Sequence, residues 1–256
     1  MEARVQILYL SKFKPSARIL RDALNNAGVT TTLAGECEDL NGPFIRYGHK
    51  GSIGIRNNAV DLNFNTRKFI EASGNKMIMS KTFTEAGVVT PQFYQMTKDP
   101  EDYPVMVRTT LSGFKGRGIY ICETTKEFES FCDQKGSFWT PFLNISREYR
   151  VHVVNNQIVK LFKKVYSGEE PEDYPIRNMD NGYHFSIRNN MNPFVKLVQF
   201  VDRICEVMPI GFTAMDIGFL ENERKYILIE TNSAPGLNEN SAGLFVDEIK
   251  RRLDDL

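Results

Sequence analysis

The segment GFTAMDIGFLENERKYILIETNSAPGL, Gly211 to Leu237, constrains the chain more than any other stretch. Two apolar runs flank a polar turn, Glu221-Asn222-Glu223-Arg224, which predicts an antiparallel strand pair. Asp216 lies in the first run; Glu230 and Asn232 end the second. The turn brings Asp216 opposite Glu230 or one residue away. Glu230 and Asn232 are two apart and share a face. Two carboxylates held that close repel unless a positive group lies between them. A hard divalent cation, its shell completed by phosphate oxygens, meets that need.

The opening residues predict a β-α-β unit. Val5 to Leu10 is a strand, Ser16 caps a helix through Ala27, and Val29 to Leu33 is the next strand. In the helix Ile19, Leu20 and Leu24 share one face, and Gly28 stops it. Asn65 is expected to cap a short helix ending near Gly74, and Asn75 a second one that stops at Gly87. Tyr103 to Thr109 and Ile119 to Glu123 read as strands around a glycine-rich loop, residues 111–118. Thr124 and Glu127 form a capping box, and Phe138 to Leu143 is extended. Tyr149 to Val154 and Gln157 to Lys163 form a hairpin across Asn155-Asn156. Gly168 to Gly182 reads as a loop, Asn192-Pro193 starts a helix, and a last amphipathic helix spans about Ser241 to Leu253.

The loop's Gly113, Gly116 and Gly118, with Lys115 and Arg117, suit a flap that brings backbone N–H groups close to phosphate. A mobile hairpin loop explains the same residues equally well. Arg108 ends an apolar strand and would reach a phosphate under that flap. Lys76 sits in the first turn of a helix, against the macrodipole; it is either a solvated lysine or one with a role that offsets this cost. Glu148 and Arg150 share a strand face; they are either a surface ion pair or a ribose acceptor and an anion holder. Lys163, Lys164 and Arg177 bracket the polar loop and form either one basic wall or a solvated cluster. Arg46, Lys50 and Arg56 read as a solvated face, with reception of an acidic substrate the other reading, and the three histidines lack ligand spacing.

Acidic and basic residues number 32 each, so bulk polyanion binding is not expected and nucleic acid is not indicated. The four cysteines are scattered, which argues against a zinc site and for a reducing compartment. The first apolar run is short for a signal segment, and no run has membrane-spanning length. A cytoplasmic protein without a membrane partner is therefore expected.

In order, these segments resemble the ATP-grasp superfamily. NKMIMSKTFTEAGVVTPQF resembles its lysine helix with a following Gly-Val-x-x-Pro. VMVRTTLSGFKGRGIYI resembles its strand, flap and strand. REYRVHVV resembles its acid-x-Arg-Val strand, and FTAMDIGFL with YILIETNSAPGL its metal-binding strands. ETNSAPGL is close to endings in D-alanine ligases and ribosomal-protein glutamate ligases, and YPIRNMDNGYHFS is similar to the latter group's Arg-x-Asn segment.

The resemblance implies an α/β chain of α+β lobes. A small N-terminal α/β lobe would span residues 1–74, a central lobe 75–143 and a larger C-terminal lobe 144–256, with ATP between the last two. Lys76, Arg108, Gly113, Gly116 and Gly118 would contact the nucleotide, Phe142 and Leu143 the adenine, and Glu148 the ribose. Asp216, Glu230 and Asn232 would hold Mg2+, with Mn2+ the other cation admitted. Arg150, Lys164 and Arg177 would act on the transferred phosphoryl group. Arg108 stands where the family usually has lysine, and TPFL lacks a common glutamate. No arginine lies two residues before Asp216, which speaks against D-alanine as substrate.

The implied reaction joins a carboxylate to an amine through an acyl phosphate, releasing ADP and phosphate. The partners would be small-molecule or peptide carboxylates and amines, and a homodimer is compatible. A non-catalytic ATP-binding module and a small-molecule kinase are the alternatives.

Overall fold

The computed structural model describes residues 4–35, 40–51, 59–62, 64–109, 118–133, 137–169 and 176–256. Their strands form three sheets. The first is parallel, ordered β2-β1-β3-β4, from β1 (Arg4–Tyr9), β2 (Thr30–Ala34), β3 (Pro43–Tyr47) and β4 (Val60–Asp61). Helix α1 (Lys14–Asn26) crosses between β1 and β2, as a parallel pair requires. It starts two residues before Ser16, and no side chain caps it. Ser16 Oγ instead accepts from Leu237 N at 3.2 Å. Here the expected cap is a cross-chain tie.

Helices α2 (Arg67–Ser73) and α3 (Lys76–Glu85) follow. Thr66, not Asn65, caps α2, its hydroxyl accepting from Phe69 N at 3.2 Å. Asn65 is spent elsewhere: its Oδ1 accepts from Phe212 N at 3.2 Å and its Nδ2 donates to Ser233 O at 3.3 Å. Asn75 caps α3 as expected, and Gly87 takes the left-handed φ of 79° that ends such a helix.

The second sheet is antiparallel, ordered β5-β8-β6-β7, from β5 (Tyr94–Gln95), β6 (Val105–Arg108), β7 (Ile119–Cys122) and β8 (Phe138–Pro141). Helix α4 (Thr125–Glu129) packs on it through Phe128, against Trp139. Thr124 accepts from Glu127 N, while the Glu127 carboxylate reaches Glu123 N at 2.7 Å, one residue before the expected partner. Gly113, Lys115, Gly116 and Arg117 lie outside the described residues, as does Arg56.

The third sheet carries five antiparallel strands, ordered β11-β10-β9-β12-β13. They are β9 (Ile145–Val154), β10 (Gln157–Tyr166), β11 (Tyr183–Arg188), β12 (Phe212–Leu220) and β13 (Lys225–Asn232). Asn155 and Asn156 close the β9–β10 hairpin with φ of 49° and 60°, the primed geometry that suits strand twist. Helices α5 (Val195–Val207) and α6 (Glu239–Asp254) complete the chain.

One face of this sheet, here the rear, is sealed. Val151, Leu161, Met215, Ile217 and Leu228 pack there against Phe69, Met79, Phe83, Leu197, Val201 and Ile204 of α2, α3 and α5. Each such side chain, fully buried, contributes roughly 1.5–3 kcal/mol. One end of the front face is covered by apolar groups. There Val154 and Phe212 meet Phe245 of α6 and Tyr47 of the first sheet. Gly211 marks this junction, since an added Cβ would lie 1.1 Å from Phe64 O. The other end of the front face carries the polar residues singled out above.

Candidate active site

Asp216 pairs directly with Glu230 across β12 and β13, and with Arg150 across β12 and β9. The Glu230 pairing depends on an irregularity. Ile217 faces Leu228 but Asp216 faces Glu230, so Ile229 is surplus. Such a bulge re-aims the next side chain. Without it Ile229 would oppose Asp216, and Glu230 would fall on the rear with Met215.

The two carboxylates are neutralised by side chains of the protein. Arg150 donates to Asp216 through Nε to Oδ1 and Nη2 to Oδ2, both at 2.7 Å. Burial pushes the Asp216 carboxyl up, but this fork outweighs burial and holds it below the usual carboxylate range. Lys76 Nζ donates to Glu230 Oε2, which gives the awkward lysine in the first turn of α3 its partner. Asn232 Nδ2 donates to Glu230 Oε1 at 3.3 Å. The expected need for a positive group between the acids is thus met by Arg150 and Lys76.

A second ion pair lies alongside. Lys164 Nζ donates to Glu148 Oε1 and, at 2.8 Å, to Arg177 O. Burial raises the Glu148 carboxyl, with Asp216 adding to it, despite the nearby cation. Arg177 Nη1 donates to Ile145 O at 2.6 Å. The ring of Phe185, on β11, lies 4.6 Å from the Arg150 guanidinium carbon and 5.8 Å from Lys164 Nζ. Phe185 and its strand are missing from the sequence expectations, although YHFSIR alternates strictly between apolar and polar residues, the period-2 signal that could have found it.

Arg108 contributes the next cation. Among the described residues its buried Nε has no hydrogen-bond partner. Burial lowers its pKa while the charge of Glu230 opposes that shift. An unpartnered buried guanidinium donor near Glu230 suits an incoming oxyanion. Gly118 takes φ of 71° and its carbonyl accepts from Thr109 N at 2.9 Å, closing the base of the glycine-rich loop. Phe142 N donates to Pro104 O at 3.1 Å, and Leu143 O accepts from Ile145 N at 2.8 Å.

Two sequence expectations change. Lys163 and Lys164 do not form one wall. Lys163 pairs with Tyr149 and faces the rear, while Lys164 reaches Glu148 on the front. Arg46 is not on a solvated face. It is buried, donating to Asp61 at 2.6 Å and to Gly51 O at 2.9 Å.

The backbone as a whole matches solved structures closely enough to name the fold. It superposes on D-alanine–D-alanine ligase from Bacillus anthracis with a TM-score of 0.69, at 12% identity, over 99% of this chain and 96% of that one. A RimK domain protein ATP-grasp from Sphaerobacter thermophilus matches with a TM-score of 0.64, at 12% identity, over 96% and 99% of the two chains. The chain has the ATP-grasp fold.

A probable alpha-L-glutamate ligase of Parasynechococcus marenigrum is 23% identical over 211 residues, or 74% of this chain. The match spans 43% of that relative's length. No protein-family model matches. Another crystal of the Bacillus anthracis ligase holds ATP. Within this ATP-grasp fold, Asp216, Glu230, Asn232, Lys76, Arg150, Glu148 and Lys164 gather at the end of the front face away from Phe212 and Phe245. Among the described residues no group of three or more His, Cys, Asp and Glu side chains could hold a metal. The metal-binding case therefore rests on two carboxylates and one amide. Also among the described residues, no helix is long and apolar enough to cross a membrane.

Proposed function

We propose that this ATP-grasp protein is an ATP- and magnesium-dependent carboxylate–amine ligase. The observation that carries the reading is the Asp216–Glu230 pair with Asn232 beside it, ringed by Lys76, Arg108, Arg150 and Lys164. The donor set is all oxygen and fits a hard cation. Asp216, Glu230 and Asn232 would hold magnesium, which supplies Lewis-acid charge to phosphate oxygens when bound. We assign residues 1–74, 75–143 and 144–256 to three lobes, with ATP between the second and third.

Carboxylates resist amines because the leaving group is poor. Moving the γ-phosphoryl group of ATP to a carboxylate oxygen makes an acyl phosphate and ADP. The amine then attacks the acyl carbon, and phosphate leaves. Such transfers demand position and charge compensation rather than a protein nucleophile. Lys76, Arg108 and the amides around Gly113, Gly116 and Gly118 clamp the nucleotide. Glu148 accepts from the ribose, and the chain at Phe142 and Leu143 borders adenine. Arg150, Lys164 and Arg177 compensate charge on the moving phosphoryl group and on the tetrahedral oxyanion. The substrates belong to the class of amino acids or peptides, and the site suits a cytoplasmic supply of ATP.

The test is ADP and phosphate release with ATP, magnesium and a panel of amino-acid and peptide carboxylates and amines. An amide product with one ADP per bond, abolished by Asp216→Asn and by Glu230→Gln in folded protein, is expected. A phosphorylated product would make the protein a kinase. ATP binding without turnover across the panel would make it a binding module. Full turnover in both variants would remove the metal assignment.

A further inference from the structure

A second charged site lies on the other side of the same sheet. Strand alternation sends Glu148 and Arg150 to the front and Arg147 and Tyr149 to the rear. Lys163 pairs with Tyr149, and Arg188 pairs with Leu161, a rear-face core residue. Three cations from β9, β10 and β11 therefore share the rear. They line a cavity of about 570 Å3, together with Tyr149, Asn189 and Asn190. That volume suits a metabolite-sized ligand.

The charges there are not balanced. Arg147 Nη2 donates to Glu221 at 2.6 Å, and its guanidinium carbon lies 4.2 Å from the centre of the Phe219 ring. Among the described residues, neither Lys163 nor Arg188 forms an ion pair. Among the described residues Arg188 Nε, which is buried, also has no hydrogen-bond partner. An enclosed donor left open on a guanidinium is uncommon unless something accepts from it. The rim offers further donors in the Tyr149 hydroxyl and the two asparagine amides.

We propose that this cavity binds a small multivalent oxyanion, separately from the nucleotide site. Lys163 and Arg188 supply the open charge, and Arg147 a third cation already braced by Glu221. Arginine and lysine bind phosphate and carboxylate oxygens through the same charge-assisted hydrogen bonds. The class therefore includes phosphate esters and polycarboxylates. Because Tyr149 and Arg150 are adjacent on β9, occupation of the rear cavity would bear on the strand that carries Arg150 to Asp216.

Calorimetric titration with inorganic pyrophosphate and with citrate tests this. The proteins compared are the wild type, the rear variants Lys163→Gln and Arg188→Gln, and the front variant Arg108→Gln. The wild type should bind at least one probe. Each rear variant should weaken that binding by at least about tenfold, with ATP affinity unchanged and an unchanged melting temperature. The front variant should retain it. Which probe binds separates the phosphate source from the carboxylate source. Failure of both probes to bind wild type at millimolar concentration overturns the proposal. So does binding that survives both rear substitutions, or that disappears only in Arg108→Gln.

Discussion

Arg150 and Asp216 face one another across β9 and β12 and are joined by two parallel hydrogen bonds of 2.7 Å. Asp216 is buried, so removing its partner leaves an uncompensated carboxylate inside the protein. Arg150→Met should cost about 3–5 kcal/mol of stability. Adding Asp216→Asn should restore most of that loss. A double-mutant cycle by urea denaturation measures the coupling, and additive losses would show that the pair is not the stabilising unit.

Arg108 presents the opposite balance. Among the described residues its buried Nε has no hydrogen-bond partner, so the protein alone carries an unsatisfied donor there. Arg108→Met should raise the stability of nucleotide-free protein by about 1–3 kcal/mol and weaken ATP binding more than tenfold, by the same principle applied to the bound state. Thermal melts with and without ATP read both effects. A variant less stable than wild type in the absence of nucleotide would contradict this account.

His152 predicts the pH dependence. It is buried against Phe162 and Phe245, and burial, then Arg150 and Lys160, lowers its pKa from 6.5 to about 4. The unfolded chain therefore binds its proton first. Neutral His152 contributes stability fully above pH 6.5, and that contribution is lost as pH falls from 6.5 towards about 4. The loss is of order 3 kcal/mol at most. His152→Phe should flatten the stability profile across this window. Equal slopes in the two proteins would assign the effect to other groups.

Gly211 tests the joint between the sheets. A methyl there would collide with the Phe64 carbonyl, which is backbone and cannot swing aside. Gly211→Ala should destabilise by at least about 3 kcal/mol. Asn65→Ala, which removes the ties to Phe212 N and Ser233 O, should cost about 1–3 kcal/mol. Denaturant midpoints decide both, and a neutral Gly211→Ala would mean that the backbone relaxes freely.

The chemistry of the front face was readable because it is local. Asp216, Glu230 and Asn232 sit on one hairpin whose polar turn is plain in the sequence. Asn75 and the Asn155-Asn156 turn follow backbone rules that need no tertiary context. What escaped depends on partners far along the chain. Asn65 and Thr66 are both good caps, and only Phe212 and Ser233 decide which one is free to cap. Arg46 looks solvated until Asp61 is brought beside it. β11 does carry a local signal, the strict alternation of YHFSIR, but only its pairing with β10 brings Phe185 to Arg150.

The hairpin that carries the acids is lopsided. Counting from the Leu220–Lys225 pair, Asp216 comes four residues along β12 but Glu230 comes five along β13. A symmetric hairpin of identical composition would bury its glutamate among the helices and set isoleucine opposite Asp216. Segment length, as much as residue type, therefore decides whether the two carboxylates meet. A search for kindred chains that tolerates a gap at Ile229 would be tracking a different object from one that does not.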